Sequence, residues 1–209
     1  MLLAHDEIVE LLEIGVVEYT DLELVNGSSL DVRLGMTIQI ERPPATTTEE
    51  YLRDGTKLQE VVLRDRTPIN TIMHSLKDQG PFKLYPGEFI LAHTHEVFHI
   101  PNHISATYRL KSSMARIGLE HLNAGWCDPG WNNSCLTLEL KNMTRHHVIV
   151  LNYLDKIGQM CFYRHKQVSP KDSYAAKGRY NGDRTVSGSK PDPVAEPFGS
   201  IISGDDEEE

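Results

Sequence analysis

Residues 109–142 (RLKSSMARIGLEHLNAGWCDPGWNNSCLTLELKN) hold the side chains of this sequence that are best suited to chemistry. The Ser-Ser pair beginning at Ser112, together with Arg116, places two hydroxyls and a guanidinium close together, which suits an anionic ligand. A turn with little side-chain bulk at its start follows at 124–131, and Glu139 lies within an otherwise apolar strand. A carboxylate can act first as a general base and then as a general acid. We therefore predict that these groups converge across adjacent strands.

Each of these pieces also has an ordinary structural interpretation. The serines followed by Arg116 are compatible with a helix cap and an exposed arginine. Residues 128–130 (Asp-Pro-Gly) are a favourable β-turn sequence whatever the function. Glu139 stands between two leucines and is compatible with a solvent-facing position, because side chains alternate across a strand. Only the combination of the pieces favours a functional site.

Residues 95–99 (HEVFH) match the H-E-x-x-H pattern of zinc proteases. That chemistry requires both histidines on one face of a helix, but this segment is rich in β-branched and aromatic residues and runs into Pro101. On a strand, residues four apart are separated by about 13 Å. Two ligands of one zinc ion must each approach it to about 2 Å. We therefore predict a strand with surface histidines and no zinc site.

The overall composition limits the classes of function. The chain has 209 residues and a net charge of -9, of which five charges belong to the acidic residues 205–209. One globular domain is expected, and nucleic acid is disfavoured because its phosphates require a clustered positive surface. Neither a membrane span nor a signal peptide is expected from the apolar runs. Three irregularly spaced cysteines indicate reduced thiols, so we expect a cytoplasmic protein.

Apolar periodicity predicts one helix and many strands. A short amphipathic helix is expected over 3–17, and a half-buried strand over 30–35 that continues extended through 36–40. Further strands, separated by Pro, Gly and Asn turns, are predicted over 82–85, 89–92, 97–100, 106–110, 136–140, 148–151 and 157–163. Many short strands of this kind indicate an all-β sandwich or barrel.

Two stretches interrupt this pattern. Residues 46–80 are polar and weakly periodic, and we interpret them as an insertion with one short helix and one strand at 60–63. Beyond residue 165 large apolar side chains become rare. This change predicts a tail that is mobile unless a ligand or a neighbour orders it.

Six ordered segments form a pattern that is more specific than any single motif. They are NGSSLDVRLG at 26–35, LYPGE at 84–88, SSMARIGL at 112–119, AGWCDPGWNNSCLTLE at 124–139, IGQ at 157–159 and RYNG at 179–182. Together they resemble the dCTP deaminase family, within the trimeric dUTPase-like superfamily, over about 1–45 and 82–185.

The resemblance implies a mainly β fold, a distorted jelly-roll or β-clip barrel of the dUTPase-like type with a short N-terminal helix and a flexible C-terminal tail. It also implies a homotrimer whose active sites are shared between subunits. On this basis residues 1–165 form the deaminase domain, which includes the insertion 46–80. Residues 166–190 form a tail that closes the active site, and residues 191–209 an acidic disordered tail.

The resemblance further implies a role for each site residue. Glu139 resembles the catalytic carboxylate, while Ser112 and Arg116 resemble the pair near the attacking water and the phosphates. Ala124 resembles the residue whose backbone reads the pyrimidine edge, and Asp128 the group that holds the deoxyribose 3′-hydroxyl. The remaining substrate contacts are expected from Lys111, Ser113, Tyr174, Arg179 and Tyr180, the last three on the closing tail.

Two positions depart from the pattern of the family. Lys111 stands where the family often has arginine, so the positive charge is kept but the bidentate fork is lost. Asp183 stands where the family usually has a glutamine near the phosphates. Because a carboxylate there would repel a triphosphate, we carry no binding role over to Asp183.

The leading hypothesis is a zinc-independent enzyme that converts dCTP to dUTP and ammonia, with Glu139 as base and acid and Mg²⁺ bound through the triphosphate. The combined H-x-E…P-C-x-x-C signature of the zinc deaminases does not occur, because the three cysteines include no C-x-x-C pair. One alternative is a bifunctional enzyme that gives dUMP and pyrophosphate, because the small and then aromatic residues at 124–126 resemble some bifunctional members. The others are a dUTPase without deaminase activity and a non-catalytic nucleotide-binding regulator.

Overall fold

The computed structural model describes residues 1–43, 58, 61–63, 66 and 68–190, and strands dominate them. The helices of this part are α1 (His5–Glu13), α2 (Ser112–Arg116) and α3 (Tyr174–Lys177), with 3₁₀ turns at Leu22–Leu24 and Pro170–Asp172. The strands are β1 (Val17–Glu18), β2 (Leu30–Arg33), β3 (Thr37–Glu41), β4 (Thr71–Ser75), β5 (Phe82–Leu84), β6 (Phe89–His93), β7 (Val97–His99), β8 (Ile104–Leu110), β9 (Leu119–His121), β10 (Trp126–Cys127), β11 (Asn132–Ser134), β12 (Thr137–Asn142), β13 (Ile149–Leu151) and β14 (Lys156–Arg164).

Two antiparallel sheets position the candidate site. One has the strand order β10-β8-β14-β2 and the other β4-β3-β6-β12-β9, while β1-β7-β11 and β13-β5 form smaller sheets. Side chains alternate between the two faces of a strand, so each sheet can turn one apolar face inward. A single cluster joins the two sheets, with Met160 and Phe162 from the first and Ile90 and Leu138 from the second, all fully buried. The mainly β fold class predicted from the sequence is confirmed.

Most predicted elements are present with small changes at their ends. Helix α1 begins and ends inside the predicted span 3–17, and it buries Ile8 and Leu11 against the core. It stops before Gly15, whose φ of 77° lies in the left-handed region that glycine adopts without strain. The strands predicted over the second half of the chain are all found, because their alternating apolar side chains face the core.

The strand and the short helix predicted for the insertion are not found among the residues of 46–80 that the structure describes. Residues 61–63 form no strand, and Leu63 is 89% exposed, so its apolar side chain is not held by a core. The strand of this region is β4, which pairs with β3 and places His74 opposite Ile38. The short helix expected in this insertion is not found among its described residues, and Glu60 lies outside them.

The first part of the tail lies against the body of the protein. The backbone N–H of Tyr174 donates to the carbonyl of Pro129 at 2.8 Å, and the N–H of Cys135 donates to the carbonyl of Asp183 at 2.8 Å. Val186 is buried. The acidic segment 191–209 lies outside the described residues. Within the described part of the chain, no helix has the length and apolar character needed to cross a membrane.

Candidate active site

A cavity of about 960 Å³ opens between the second large sheet, the 124–131 turn, the described residues 61–69 of the insertion and the tail. This volume lies within the usual range for small-molecule sites. Five of the residues predicted from the sequence line it, and we call them the cavity set: Ala124, Asp128, Glu139, Tyr174 and Tyr180. Residues far apart in the chain are thus brought to one concave surface.

Glu139 lies on β12, where burial alternates along the strand. Leu138 and Leu140 are fully buried, while the Glu139 side chain is 26% exposed and faces the cavity wall. Across the ladder its partner is Leu91 of β6, which is 7% exposed. One carboxylate oxygen, Oε2, is buried. The solvent-facing alternative therefore does not hold, and the carboxylate is placed where it can exchange a proton with a molecule bound in the cavity.

The turn from Ala124 to Trp131 has the form that its sequence predicts. The backbone N–H of Trp131 donates to the carbonyl of Asp128 at 3.1 Å, and Gly130 has a φ of 86°, which favours glycine. The Asp128 carboxylate accepts a hydrogen bond from the Trp126 indole nitrogen at 2.9 Å. Ala124 is exposed and lines the cavity. Its small side chain leaves the backbone accessible to a ligand.

The tail closes one side of the cavity through two tyrosines. The Tyr174 hydroxyl accepts a hydrogen bond from the backbone N–H of Tyr180 at 3.3 Å. The carbonyl of Tyr180 accepts one from the Trp131 indole nitrogen, also at 3.3 Å. The Arg179 guanidinium carbon lies 5.9 Å from the centre of the Tyr180 ring, but Arg179 does not line the cavity.

Asp183 and Lys190 form an ion pair at the rim of the same cavity. The Lys190 ammonium lies 2.7 Å from both oxygens of the Asp183 carboxylate and 5.1 Å from the centre of the Tyr180 ring. Both residues line the cavity. The repulsion expected between Asp183 and an anionic ligand is therefore offset by a cation seven residues further along the chain.

Apart from Arg179 on the tail, the other predicted residues lie on α2 or directly before it, and we call Lys111, Ser112, Ser113 and Arg116 the helix set. None of them lines the cavity. Ser112, Ser113 and Arg116 are exposed, and within the described ranges the Arg116 guanidinium makes no hydrogen bond or ion pair. One subunit therefore separates the predicted site residues into the cavity set and the helix set.

Lys111 is held by Asp31 of β2. Its ammonium lies 2.6 Å from the Asp31 carboxylate, which also accepts a hydrogen bond from Asn26 at 2.9 Å and lies 3.7 Å from Lys156. Burial by itself raises the pKa of Asp31. The hydrogen bonds from Lys111 and Asn26, with the two lysine charges, outweigh this effect and hold the pKa below its usual value. The pair fixes the start of α2 against the sheet.

Replacing Asp31 by asparagine should lower the free energy of unfolding by about 1–3 kcal/mol at pH 7, because Lys111 loses a charged hydrogen-bond partner. The folded-state pKa of Asp31 is depressed, so its stabilisation is complete above the unfolded value and is lost as the pH falls through the folded value. The difference in unfolding free energy between Asp31→Asn and wild type should therefore shrink below about pH 4. Thermal unfolding at pH 7 and at pH 3 measures this change.

The matched control for this experiment is Asp6→Asn, since the Asp6 side chain is 98% exposed. The control should change the unfolding free energy by less than about 0.5 kcal/mol at either pH. A deficit of Asp31→Asn that stays constant between pH 7 and pH 3 would contradict the assigned ion pair.

The H-E-x-x-H segment is extended, as predicted from its sequence, and contains β7. Glu96 is fully buried and pairs with Arg33, whose Nε lies 2.8 Å from the carboxylate. His99 contacts Glu18 at 2.7 Å and Asn132 at 2.6 Å. His95 and His99 are half-buried rather than on the surface. Across the described part of the chain, no group of three or more His, Cys, Asp or Glu side chains is arranged to hold a metal ion.

Comparison with known proteins shows the family of this chain. A family model described as dCTP deaminase-like matches residues 2–165. The chain belongs to the dCTP deaminase-like family. This match contains all of the helix set and, of the cavity set, Ala124, Asp128 and Glu139. The tail with Tyr174 and Tyr180 lies beyond it.

Several curated relatives of this dCTP deaminase-like chain are named "dCTP deaminase, dUMP-forming". The relative from Nanoarchaeum equitans is 32% identical over 199 residues, covering 91% of this chain and 97% of the relative. The relative from Kocuria rhizophila is 33% identical over 195 residues, covering 91% and 94%. The relative from Beutenbergia cavernae is 33% identical over 175 residues, covering 81% and 83%.

A solved structure supports the fold of this family member. The 2′-deoxycytidine 5′-triphosphate deaminase from Agrobacterium tumefaciens matches with a TM-score of 0.55 and 23% identity. The match covers 77% of this chain and 47% of that chain, so the present sequence spans about half of the solved one. At this identity the likeness establishes the fold, and it agrees with the dUTPase-like β fold expected from the motifs.

Four residues near the site of this dCTP deaminase-like chain were not assigned a role from the sequence. Asp31 lies in a matched segment, but its contact with Lys111 joins residues 80 positions apart. Lys190 carries no motif of its own. Tyr108 and His121 lie on ordinary strands. His121 lies near Glu139 because β9 pairs with β12, and the Tyr108 ring of the other large sheet lies against the His121 ring. A strand pattern does not encode contacts of this kind.

Proposed function

We propose that the protein deaminates dCTP and hydrolyses the product to dUMP and pyrophosphate. The observation that carries the proposal is the Glu139 carboxylate, set on an apolar wall of a ligand-sized cavity beside Ala124 and Asp128. The sequence alone favoured dUTP as the final product. The names of the relatives favour the bifunctional alternative, because they are described as dUMP-forming.

In the proposed deamination, water adds to C4 of cytosine and the amino group leaves as ammonia. Glu139 takes a proton from the attacking water and delivers a proton to the departing nitrogen, so the carboxylate is regenerated at the end of the step. The carboxylate can perform both tasks because it lines the cavity, next to the largely buried Leu91, where it can contact both the water and the base of a bound nucleotide. The net reaction is dCTP and water giving dUTP and ammonia.

The cavity set is proposed to bind the nucleoside. The accessible backbone at Ala124 reads the pyrimidine edge, and the Asp128 carboxylate accepts a hydrogen bond from the 3′-hydroxyl. Tyr174, Arg179 and Tyr180 cover the phosphates. The substrate is proposed to be the magnesium complex, because Mg²⁺ keeps several waters and is usually bound through substrate phosphates and few protein groups.

The second step is proposed to use the carboxylate of Asp128 to orient a water toward the triphosphate, giving dUMP and pyrophosphate. The hydrogen bond from Trp126 to Asp128, at 2.9 Å, supports this assignment because it fixes the carboxylate orientation. Trp126 is also the aromatic residue of the 124–126 segment that resembles bifunctional members. One local feature of the turn thus supports the bifunctional alternative.

We also propose that the site is completed by a neighbouring subunit of a homotrimer. The helix set carries the expected phosphate-binding groups, yet it does not line the cavity of its own subunit. Large apolar side chains that follow α2 in the chain are solvent-exposed in one subunit, Ile117 by 52% and Leu122 by 53%, and so is Trp126 at the cavity, by 59%. Exposed apolar groups of this kind often mark protein interfaces. The α2 helix of one subunit would supply Ser112 and Arg116 to the cavity of the next.

The proposal is tested by offering dCTP, dCMP and dUTP separately with Mg²⁺ and measuring ammonia and pyrophosphate. The bifunctional enzyme releases both from dCTP, and we expect no ammonia from dCMP because it lacks the triphosphate that the site binds. A deaminase alone would release ammonia without pyrophosphate. A dUTPase without deaminase activity would act only on dUTP, and a non-catalytic regulator would bind dCTP and release neither product.

A further inference from the structure

Three polar atoms beside the cavity are buried and lack hydrogen-bond partners among the described residues. They are the Tyr108 hydroxyl, Nε2 of His121 and Oε2 of Glu139. Tyr108 is 2% exposed and His121 is 4% exposed. His121 Nε2 lies 3.2 Å from Glu139 Oε2, but the two groups are not oriented to form a hydrogen bond. Buried polar groups without partners are rare in folded proteins.

These three groups lie together on the inner side of Glu139. The rings of Tyr108 and His121 are adjacent, with centroids 4.7 Å apart. Neither residue lines the cavity, whereas Glu139 does. Because Oε2 is buried on the side of His121, the oxygen that remains for a ligand in the cavity is Oε1. The carboxylate therefore separates the cavity from a small polar cluster behind it.

Two glycines lie against Tyr108, Gly158 against its ring and Gly125 against its Cβ and backbone. A Cβ added to Gly158 on the neighbouring strand β14 would lie 2.0 Å from the ring and 2.5 Å from its hydroxyl. A Cβ added to Gly125 would lie 2.7 Å from the Tyr108 Cβ. Contacts this short do not occur between real atoms, so the ring occupies space that only glycine leaves open. The hydroxyl is held in one place.

The Tyr108 hydroxyl remains an O–H donor at physiological pH. Burial raises the pKa of Tyr108, and the negative charge of Glu139 raises it further. A neutral phenol and an imidazole can each donate a hydrogen bond, and a carboxylate oxygen accepts one. The cluster therefore contains both the donors and the acceptor needed to hold a small polar molecule.

Resting on the function proposed above, we infer that Tyr108, His121 and Glu139 form a binding site for one buried water molecule. A buried water usually makes about three hydrogen bonds to groups that otherwise have no partner. Through this water Tyr108 acts as a positioning residue, because it restrains Oε2 of Glu139 and directs Oε1 toward the base in the cavity. This water is distinct from the one that attacks cytosine.

The test is Tyr108→Phe, which keeps the ring against Gly158 and removes only the hydroxyl. The expected result is a fall in kcat for ammonia release of about tenfold, with KM for dCTP changed by less than about twofold, because a misplaced carboxylate slows the chemical step more than binding. The melting temperature should fall slightly, because the buried water loses its hydrogen bond to the Tyr108 hydroxyl. A kcat equal to that of wild type would overturn the positioning role.

The matched control is Tyr153→Phe. The Tyr153 hydroxyl lies 3.3 Å from Nδ1 of His95, away from the cavity. This variant should lower the melting temperature slightly, as Tyr108→Phe does, but should leave kcat and KM unchanged, so that only the loss of kcat distinguishes Tyr108→Phe. Equal losses of kcat in both variants would show a general structural effect and would overturn the inference.

A crystal structure separates this inference from the proposed function. Density for one water within hydrogen-bond distance of the Tyr108 hydroxyl, His121 Nε2 and Glu139 Oε2 is expected in wild type, and its loss or displacement in Tyr108→Phe. Absence of that water from wild type would overturn the site even if dCTP is deaminated. Its presence would support the site even if the wild-type protein releases no ammonia, a result that would refute only the proposed function.

Discussion

Replacing Glu139 by glutamine should lower kcat for ammonia release from dCTP by about 10²- to 10⁴-fold, the usual contribution of a general acid–base group. The amide is nearly isosteric with the carboxylate, but it cannot take a proton from water and return it to the leaving nitrogen. Nucleotide affinity should change little, because base and sugar contacts come from Ala124 and Asp128. Steady-state kinetics of ammonia release and calorimetric titration with dCTP measure the two effects separately.

The control for this experiment is Glu41→Gln, which changes an exposed carboxylate on β3 of the same sheet. Glu41 does not line the cavity, so its replacement should leave kcat and KM as they are. If Glu139→Gln deaminates dCTP at a rate near that of wild type, the proton transfer assigned to Glu139 is wrong. Loss of dCTP binding in Glu139→Gln would indicate a structural role for the side chain.

Replacing Arg116 by alanine should lower kcat/KM for dCTP by about 10²- to 10³-fold, the range seen when one preorganised donor to a developing charge is removed. Its exposed guanidinium contributes nothing to the cavity of its own subunit, so the loss should arise in the site of a neighbour. Thermal unfolding should be nearly unchanged, because exposed side chains contribute little to stability. Kinetics of the purified variant, with Arg145→Ala as an exposed control, measure the effect.

Mixed trimers decide whether the site is shared. Glu139→Gln and Arg116→Ala subunits are each expected to be nearly inactive alone. After co-refolding in equal amounts, about one interface in four should combine an intact Glu139 with an intact Arg116, so about a quarter of wild-type activity should return. If the mixture stays as inactive as its parents, while wild-type subunits regain activity under the same conditions, the site does not draw Arg116 from a neighbour.

The strands that build the fold could be predicted where at least four residues in a row are apolar or alternate between apolar and polar side chains. Segments such as Leu136–Leu140 show this alternation because one face packs into the core. Strands β1, β9, β10 and β11 were missed, since they have only two or three residues and hold their place through pairing with neighbouring strands. Strand β4 was missed because it lies in the weakly periodic insertion. The opposite error occurred at 61–63, where apolar residues with high strand propensity lie exposed.

The site was predicted as a set of residues, and the resemblance implied that subunits share it, but the sequence did not show which residues one subunit brings together. The resemblance identifies the residues of both the cavity set and the helix set, because residue types and their spacing can be read directly from the sequence. It does not show that one subunit leaves the two sets apart, since that depends on how β8, α2 and β12 are arranged in space. The Asp183–Lys190 pair is similar: the sequence indicates a repulsive carboxylate, and only the folded tail provides its counterion.

The most direct measurement is the product balance of the wild-type protein with dCTP and Mg²⁺, followed over time by chromatography of the nucleotides and enzymatic assay of ammonia. Deamination with hydrolysis of the product predicts dUMP, pyrophosphate and ammonia in equal amounts, with little free dUTP at any time. Accumulation of dUTP as the end product would contradict the bifunctional activity. Failure to release ammonia from dCTP would contradict deamination itself.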